Sequence, residues 1–352
     1  MKRIVLTGGG TAGHVSPNQA LIPELLKEGW EIHYIGTRNG IEYSLIEPIP
    51  EVTYHSVQSG KLRRYFDLKN FTDIFRVIAG FFQSAALIGK LKPQIVFAKG
   101  GFVSVPVVYG AAVRGVPVVM HESDITPGLA NKLCKPFAKC LCTTFPECAH
   151  AVGKKGVVTG TPLRKELFSG SRERGLKMTG FDGSKPILMM TGGSLGAQTV
   201  NAVLRDALPQ LLPCFDILHV CGKGNLSEAH QNMPGYVQFE YLTDGMPDAY
   251  ACADILLSRA GSNSLSEILA LHKPALLVPY HSGRGDQVLN AKSVESRGLA
   301  HVLLQGDMNP DTLVSAIHDL YNDRETIRAR LETLPNADGT EAVLAQIYLY
   351  TK

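Results

Sequence analysis

The sequence predicts an α/β protein of two domains, each built on a sheet of parallel strands. Its 352 residues suit two domains. Short apolar runs alternate with helical patterns along the chain, as in proteins with parallel sheets. The alternation starts again near the middle, where a glycine turn at residues 192–197 repeats the one at residues 8–13. The halves are therefore expected to be two copies of one architecture, joined by a linker at residues 160–164.

The first half opens with a strand at residues 2–7, whose apolar run from Ile4 to Leu6 stops at the glycine turn. A helical pattern follows from Ala20 to Leu26. Glycines let the backbone turn sharply and approach a ligand, and the amides that start the next helix attract anions. This edge therefore suits a phosphate or a sugar hydroxyl. Further strands are predicted at residues 31–35, 52–57, 94–98, 117–120, 140–144 and 156–159.

The second half repeats this pattern. Strands are predicted at residues 186–191, 216–221, 254–257 and 275–278, and a helix at residues 201–212. Glycine-rich or polar loops follow these strands, at residues 192–197, 222–225, 258–264 and 283–287. Open α/β sheets bind ligands at the carboxyl ends of their strands, so functional residues are expected in these loops.

Polar residues in the second half suit a nucleotide diphosphate. Ser194 and the amides of its turn are expected to hold a phosphate, and Arg164 adds a positive charge that can bind in a bidentate way. The carboxylate of Glu267 can accept hydrogen bonds from ribose hydroxyls, which leaves Asp286 and Gln287 for a sugar. Two alternatives stay open: Arg164 as an interdomain salt bridge, and Glu267 as an exposed helix residue.

His14 follows the first glycine turn and can act as a base near neutral pH. The alternative is that this turn is a plain connection from strand to helix. A second glycine turn at residues 99–106 and a polar loop at residues 121–124 also follow strands of the first half. Three polar or glycine-rich loops are therefore expected at one edge of the sheet.

Several function classes are disfavoured. Neither glycine turn continues into Gly-Lys-Ser/Thr, so P-loop ATP hydrolysis is not expected. Thr37 and Arg38 stand where a dehydrogenase has an acidic residue for ribose, although the glycine spacing at residues 8–13 fits. A net charge of +3 is too small to indicate nucleic-acid binding. The seven cysteines include no C-x-x-C pair, so we expect reduced thiols and no metal site at Cys140 and Cys142.

Residues 61–82 interleave basic and aromatic side chains. At helical spacing Phe71, Phe75, Ile78 and Phe82 form one face. Either this segment lies on an anionic membrane surface or it is a buried helix with a solvated basic end. No signal peptide and no apolar stretch as long as a membrane span is expected, so a membrane would be met from its cytoplasmic side.

Motifs spread over nearly the whole chain occur in a characteristic order. They are Gly8-Gly9-Gly10-Thr11-Ala12-Gly13-His14 with Pro17, Gly100-Gly101-Phe102-Val103-Ser104, His121-Glu122, Gly160-Thr161-Pro162-Leu163-Arg164, Gly192-Gly193-Ser194-Leu195-Gly196-Ala197 and residues 258–290. Together they resemble the MurG family of peptidoglycan glycosyltransferases. That family transfers N-acetylglucosamine from UDP-N-acetylglucosamine to the muramyl sugar of lipid I, which yields lipid II for peptidoglycan synthesis and thereby for cell-wall biogenesis, cell shape and division.

The resemblance implies the GT-B fold, with two Rossmann-like domains whose parallel sheets face each other across a cleft. Residues 1–160 would form the acceptor and membrane-facing domain, and residues 161–339 the UDP-sugar donor domain. The last helix, at residues 340–352, would pack back on the first domain.

The resemblance also implies roles for individual residues. His14 matches the family's candidate base, and Asp124 and Glu122 are further catalytic candidates. Gly101, Ser104 and His121 fall on the acceptor side, and Phe71, Phe75, Ile78 and Phe82 would face the membrane. The implied donor site consists of Thr11, Ala12, Gly13, Arg164, Ser194, Thr243, Ser262, Asn263, Glu267, Asp286 and Gln287.

Two residues depart from the family pattern, because Ala12 replaces a usual glycine and Asp124 stands where many members have asparagine. The implied reaction is an inverting displacement that requires no metal or other cofactor. Three alternatives stay open: a GT-B enzyme acting on another lipid acceptor, a UDP-sugar epimerase, and a UDP-sugar-binding sensor without catalysis.

The implied location is cytoplasmic, peripheral on the cytoplasmic face of the bacterial cell membrane. The expected partners are the lipid-linked muramyl-pentapeptide acceptor, an anionic membrane surface and proteins of cell-wall synthesis. Nucleic acid is not expected as a partner.

Overall fold

The computed structural model describes residues 2–60, 69–192, 197–281, 285–334 and 338–351, with the backbone alone for residues 69–73. The chain divides into two compact units. The N-terminal unit comprises Met1–Arg164 and Asp338–Lys352, and the C-terminal unit comprises Lys165–Ala337. The sequence places the linker at residues 160–164, whereas the structure places these residues within the N-terminal unit. The reason is local, since the amide of Leu163 donates to Asp338 Oδ1 at 3.1 Å.

The N-terminal unit contains a parallel sheet of seven strands in the order β3-β2-β1-β4-β5-β6-β7. Its strands are β1 (Arg3–Thr7), β2 (Glu31–Gly36), β3 (Val52–Ser56), β4 (Ile95–Ala98), β5 (Val118–Glu122), β6 (Cys140–Thr143) and β7 (Gly156–Val158). Its first helices are α1 (Ser16–Lys27), α2 (Ile41–Ile46), α3 (Lys69–Leu91), α4 (Ser104–Val113), α5 (Leu129–Cys134) and α6 (Pro146–Val152), with 3-10 turns at Ala12–His14 and Lys135–Phe137. Ile4, Val5 and Leu6 are all fully buried, as expected for a strand covered on both faces.

The C-terminal unit contains a second parallel sheet, of six strands in the order β10-β9-β8-β11-β12-β13. Its strands are β8 (Ile187–Thr191), β9 (Asp216–Val220), β10 (Tyr236–Phe239), β11 (Ile255–Ser258), β12 (Ala275–Leu277) and β13 (His301–Val302). Its helices are α7 (Arg172–Thr179), α8 (Gln198–Leu211), α9 (Met246–Cys252), α10 (Ser262–Ala270), α11 (Asp286–Ser296) and α12 (Pro310–Glu332), with 3-10 turns at Lys165–Ser169, Glu228–His230 and Gln305–Asp307. The predicted pair of parallel-sheet α/β domains is confirmed, although β10 and β13 are not among the predicted strands.

The last helix, α13 (Thr340–Tyr350), belongs to the N-terminal unit. Val343 and Ile347 are fully buried and share a core with Leu21 and Leu25 of α1. Tyr348 stacks on Trp30, with 6.3 Å between ring centroids. The hydrophobic effect therefore holds this helix on the sheet of the first half.

Helix α3 packs on α4 along one face and leaves the other face exposed. The close approach occurs at Gly110, where a Cβ would lie 2.9 Å from the backbone nitrogen of Ala85. On the opposite face Phe75 is 62% exposed and Phe82 65% exposed, with Ile78 beside them at 48%. The side chain of Phe71 and residues 61–68 lie outside the described part of the chain.

One expectation about α3 is wrong. Its 18-residue stretch Ile74–Leu91 is long and apolar enough to cross a membrane by length and composition, and 22% of it is buried. Arg76 and Lys90 lie within this stretch and interrupt the apolar pattern in the sequence. Helices in the cores of soluble proteins can meet the same criterion.

Candidate active site

The first glycine turn, which comes after β1, has no room for side chains. A Cβ on Gly8 would overlap the carbonyl oxygen of His14, and a Cβ on Gly9 would lie 2.5 Å from the carboxylate of Glu42. Gly10 has a φ of +86°, in the left-handed region that favours glycine. The chain therefore needs all three glycines to make this turn.

His14 ends the short 3-10 turn that comes after these glycines and is half-buried. Its Nδ1 lies 2.9 Å from the hydroxyl oxygen of Thr11. Burial lowers the pKa of His14 to about 4, the positive charge of Lys99 acts in the same direction, and a hydrogen bond to the Gly9 backbone opposes both. His14 is therefore neutral at physiological pH, which is the form that a general base needs.

A second glycine turn, after β4, touches the first. Gly100 and Gly101 have φ values of +100° and +79°. A Cβ on Gly101 would overlap the carbonyl oxygen of Gly9 and lie 3.3 Å from His14 Nδ1. The buried hydroxyl of Ser104 donates to the carbonyl oxygen of Gly100 at 2.8 Å, so it shapes this turn from within.

Lys99 lies at the start of the second turn and is only 2% exposed. Its Nζ donates to the hydroxyl of Ser123 at 2.8 Å. Burial lowers the pKa of Lys99, whereas the carboxylates of Glu122 and Asp124 raise it. A buried ammonium group therefore lies among the residues that the sequence names as candidate bases, and its position was not predicted.

Glu122, at the end of β5, is buried and holds the loop that comes after it. Its Oε1 accepts from the amide of Asp124 at 3.2 Å, and its Oε2 accepts from the amide of Gly128 at 2.7 Å and from Asn131 Nδ2 at 3.0 Å. With three donors on its carboxylate, Glu122 is suited to a structural role. Asp124, which is half-buried, is the more accessible of the two acids.

His121 is fully buried within β5. Its Nε2 donates to the carbonyl oxygen of Gly160 at 2.8 Å. Burial lowers the pKa of His121 well below its usual value, and Lys99 adds to this effect. An acceptor cannot touch this ring in the described arrangement, so any influence of His121 on acceptor binding is indirect.

In the C-terminal unit, Glu267 is held by a neighbour from another helix. The hydroxyl of Tyr250, in α9, donates to Glu267 Oε2 at 3.1 Å. Burial and the carboxylate of Glu267 raise the pKa of Tyr250 well above its usual value, so this hydroxyl stays protonated. Glu267 itself is half-buried on α10, and it is neither fully exposed nor closed off from a ligand.

Gln287 lies beside the start of α10. Its Oε1 accepts from the amide of Tyr280 at 2.9 Å, and its Nε2 lies 4.0 Å from the point where Gly261 would carry a Cβ. Gly261 directly precedes α10. Five predicted donor residues therefore fall on two adjoining helices. Ser262, Asn263 and Glu267 lie on α10, and Asp286 and Gln287 lie on α11.

Several other predicted donor residues are exposed or lie in turns and loops. Thr11 is exposed, and Ala12 and Gly13 lie in the 3-10 turn with His14. Thr243 is exposed in the loop between β10 and α9. Arg164 is exposed at the end of the first segment of the N-terminal unit. Ser194 lies outside the described residues, so its role stays a prediction.

Glu42 is a site residue that sequence reasoning missed, because it looks like an ordinary acidic residue in the first turn of α2. The structure places its carboxylate under the first glycine turn, where Gly10 N donates to Oε2 at 3.1 Å. As for metals, the described part of the chain contains no cluster of three or more His, Cys, Asp or Glu residues arranged to hold an ion.

The two halves match the two models of one enzyme family. Residues 4–143 match the glycosyltransferase family 28 N-terminal domain, and residues 187–343 match its C-terminal domain. A protein of Geobacillus thermodenitrificans (strain NG80-2) is 52% identical over 349 residues, which are 98% of this chain and 98% of the relative. The chain belongs to glycosyltransferase family 28.

The family 28 relatives that match this chain over its full length carry the name of one enzyme. The Geobacillus protein carries the name UDP-N-acetylglucosamine–N-acetylmuramyl-(pentapeptide) pyrophosphoryl-undecaprenol N-acetylglucosamine transferase. A Clostridium kluyveri protein with the same name is 50% identical over 353 residues, which are 99% of this chain and 100% of the relative. The resemblance inferred from the motifs is confirmed.

Solved structures agree with the fold of a family 28 enzyme. The crystal structure of Acinetobacter baumannii MurG matches with a TM-score of 0.79 at 24% identity, over 99% of this chain and 100% of that one. A putative UDP-N-acetylglucosamine 2-epimerase from Listeria monocytogenes matches with a TM-score of 0.68 at 12% identity, over 99% of this chain and 95% of that one. At these identities the likeness concerns the fold alone, and it confirms the GT-B class.

Proposed function

We propose that this protein is an N-acetylglucosaminyltransferase of peptidoglycan synthesis. It moves N-acetylglucosamine from UDP-N-acetylglucosamine to the muramyl sugar of lipid I, the undecaprenyl-pyrophosphoryl acceptor, and so forms lipid II. The observation that carries this proposal is the 52% identity, over 98% of both chains, to a transferase named for this donor and acceptor. Through its product, the enzyme would support cell-wall growth and with it cell shape and division.

The proposed reaction is an inverting displacement at the anomeric carbon, with His14 as general base. In the proposed tautomer Nδ1 of His14 carries the proton and donates to Thr11 Oγ1, 2.9 Å away, so the lone pair of Nε2 would take the proton of the attacking hydroxyl. The low pKa of His14 supports this role, because the ring is deprotonated before the acceptor binds. Asp124 is the second candidate for the base.

The donor is proposed to bind to the C-terminal unit. Glu267, whose orientation is fixed by the hydroxyl of Tyr250, would accept hydrogen bonds from the ribose. Asp286 and Gln287, at the start of α11, would contact the sugar. The backbone of Thr243 would contact the uracil. Their grouping on adjoining elements supports this assignment.

Charge that develops on the departing UDP needs stabilisation. Arg164, the amides of the turn at residues 192–197 and the helix N-termini would supply it, without a metal or other cofactor. Thr11, Ala12 and Gly13 would lie near the diphosphate and the transferred sugar. Transfer that persists at full rate in a chelator would support this part of the proposal.

The exposed face of α3 is proposed to lie on the cytoplasmic surface of the membrane, where the polyprenyl acceptor is found. The exposed rings of Phe75 and Phe82 would enter the boundary between headgroups and acyl chains. The basic residues at positions 61–64 would add attraction to anionic lipid. Proteins of cell-wall synthesis are further candidate partners at this surface.

The experiment that tests the function is transfer of labelled N-acetylglucosamine to a lipid I analogue, with the anomer of the product determined by NMR. A β-linked product from the α-linked donor is expected for an inverting enzyme. Release of UDP at the same rate without the acceptor would instead indicate an epimerase or a hydrolase. Tight binding of the donor without any product would indicate a sensor.

A further inference from the structure

The side chain of Glu42 is enclosed by three glycines from two segments of the chain, the first glycine turn and the connection between β2 and α2. Glu42 is 0% exposed. Its side-chain atoms occupy the space that a Cβ would take at Gly9 and Gly36, at 2.5 and 2.9 Å, and they would overlap a Cβ at Gly40. A buried carboxylate is costly unless it is hydrogen-bonded, so this enclosure requires an explanation.

The hydrogen bonds of Glu42 join two loops. Its Oε2 accepts from the amide of Gly10, at 3.1 Å. Its Oε1 accepts from both the amide and the hydroxyl of Thr37, the amide at 3.1 Å. Tyr54 of β3 in turn donates to the carbonyl oxygen of Thr37 at 2.8 Å. The carboxylate is therefore fully engaged and is linked to the end of β2 and, through Tyr54, to β3.

The bond to Gly10 matters because this glycine leads directly into the residues of the proposed catalytic turn. Gly10 has a left-handed backbone conformation, and the segment from Thr11 to His14 is next in the chain. Amides at the start of a helix can bind anions. Here the internal carboxylate of Glu42 accepts from the amide of Gly10, so the turn is held by a contact within the protein.

We infer that Glu42 is a positioning residue, which fixes the first glycine turn through Gly10 and Thr37 and thereby orients His14 toward the acceptor hydroxyl. The inference rests on the proposed transfer reaction, in which His14 is the base. Rates of well-oriented reactions are sensitive to small displacements of a catalytic group. Loss of the Glu42 bonds should therefore slow the chemical step more than it weakens donor binding, because most of the proposed donor residues lie in the C-terminal unit.

The test is the variant Glu42→Gln, which keeps the volume of the side chain. A glutamine offers one acceptor oxygen, so it must lose the bond to the amide of Gly10 or the bond to the amide of Thr37. We expect kcat to fall by about 10- to 100-fold, and the KM for UDP-N-acetylglucosamine to rise by a clearly smaller factor. Amide hydrogen exchange in a peptide covering residues 5–15 should become faster.

The matched control is Glu47→Gln, an exposed acid just beyond the end of the helix that carries Glu42. It should leave kcat and amide exchange at their natural values. The inference is overturned if Glu42→Gln turns over like the control, or if its kcat falls while exchange at residues 5–15 stays unchanged. If Glu42→Gln does not fold, Thr37→Val decides, since it removes one donor and should lower kcat in the same direction by about threefold.

Full activity of a stable Thr37→Val would then overturn the inference. The proposed function and the inference about Glu42 can be tested separately. Absence of product from the natural protein would count against the proposed function. The exchange measurement would still show whether Glu42 holds the turn, because it needs no substrate.

Discussion

The ring nitrogen Nδ1 of His14 lies 2.9 Å from the hydroxyl oxygen of Thr11, three residues earlier in the chain. Both residues stand on the turn that Gly8, Gly9 and Gly10 allow. When Nδ1–H donates to Thr11, the ring has the tautomer in which Nε2 can accept a proton. Thr11 would therefore select the form of His14 that acts as a base.

This relationship predicts different effects of two substitutions at Thr11. Thr11→Val keeps the shape but removes the acceptor for Nδ1–H, so kcat should fall by about three- to tenfold, as for loss of one neutral hydrogen bond. Thr11→Ser keeps the hydroxyl and should retain most of the activity. Steady-state kinetics with a lipid I analogue compares the two. Equal rates for valine and serine would exclude a role of this hydrogen bond in the reaction.

The low pKa of His14 predicts how the rate depends on pH. Because the ring of the free protein stays neutral down to about pH 4, protonation of His14 should not lower kcat/KM as the pH falls from 8 to 6. Lys99→Met removes a nearby positive charge. Without this charge the protonated form of His14 is less unfavourable, so the pKa of His14 should rise. The acidic limb of the profile should therefore move to higher pH in Lys99→Met.

The control for this change is Lys132→Met, at an exposed position on α5. Its pH profile should match that of the natural protein. An acidic limb that stays in place in Lys99→Met would show that burial alone sets the protonation of His14, or that the base is another group.

Donor binding should depend on Glu267 and, more weakly, on Tyr250. Glu267→Ala removes the charged partner of the ribose hydroxyls and should raise the KM for UDP-N-acetylglucosamine by about 10- to 100-fold. Tyr250→Phe removes only the donor that orients this carboxylate and should raise the KM by about two- to fivefold. In both variants the KM for the acceptor should change little.

Glu295→Ala, at an exposed position on α11, serves as the control for general effects of removing a carboxylate. Isothermal titration with UDP checks the same ranking without turnover. If Glu267→Ala binds UDP as tightly as Glu295→Ala, Glu267 is a helix residue without a part in the donor site.

Membrane binding should depend on the exposed rings of α3. Replacing both Phe75 and Phe82 by serine removes two side chains that are 62% and 65% exposed, so the fold should be retained. Sedimentation with vesicles containing anionic lipid should show weaker binding, while UDP binding is unchanged. Leu349→Ser, at a similarly exposed apolar position on α13, is the control. Equal sedimentation of the double variant and this control would contradict the proposed membrane surface.

Local sequence patterns predicted most of the fold, and the exceptions have physical reasons. Strands such as β1 and β8 are recognisable because parallel strands covered on both faces are continuous apolar runs. The edge strand β10 is mostly half-buried and contains a glutamine, and β13 has only two residues. Because the glutamine interrupts the apolar residues of β10 and β13 is so short, neither has a continuous apolar run that distinguishes it from a loop.

Two site residues, Lys99 and Glu42, could not be assigned from the sequence. Lys99 comes directly after a strand, where a lysine is normally solvated, and its burial depends on contacts with distant segments. Glu42 looks like a favourable acid at a helix start. Its burial results from contact with the glycine turn at residues 8–10, which approaches the loop at residues 36–40 only in the folded chain. The place of His14 beside the glycine turn, by contrast, was predictable because His14 directly follows the glycines in the sequence.

Removal of the imidazole ring tests the proposed role of His14 as the base of an N-acetylglucosamine transfer. The natural protein and the His14→Ala variant are compared in the transfer of labelled N-acetylglucosamine from UDP-N-acetylglucosamine to a lipid I analogue. Binding of UDP is measured in parallel. We predict that transfer by the natural protein is robust and falls by about 100-fold or more in His14→Ala, with UDP affinity retained. Transfer that persists in His14→Ala would contradict the claim and direct attention to Asp124.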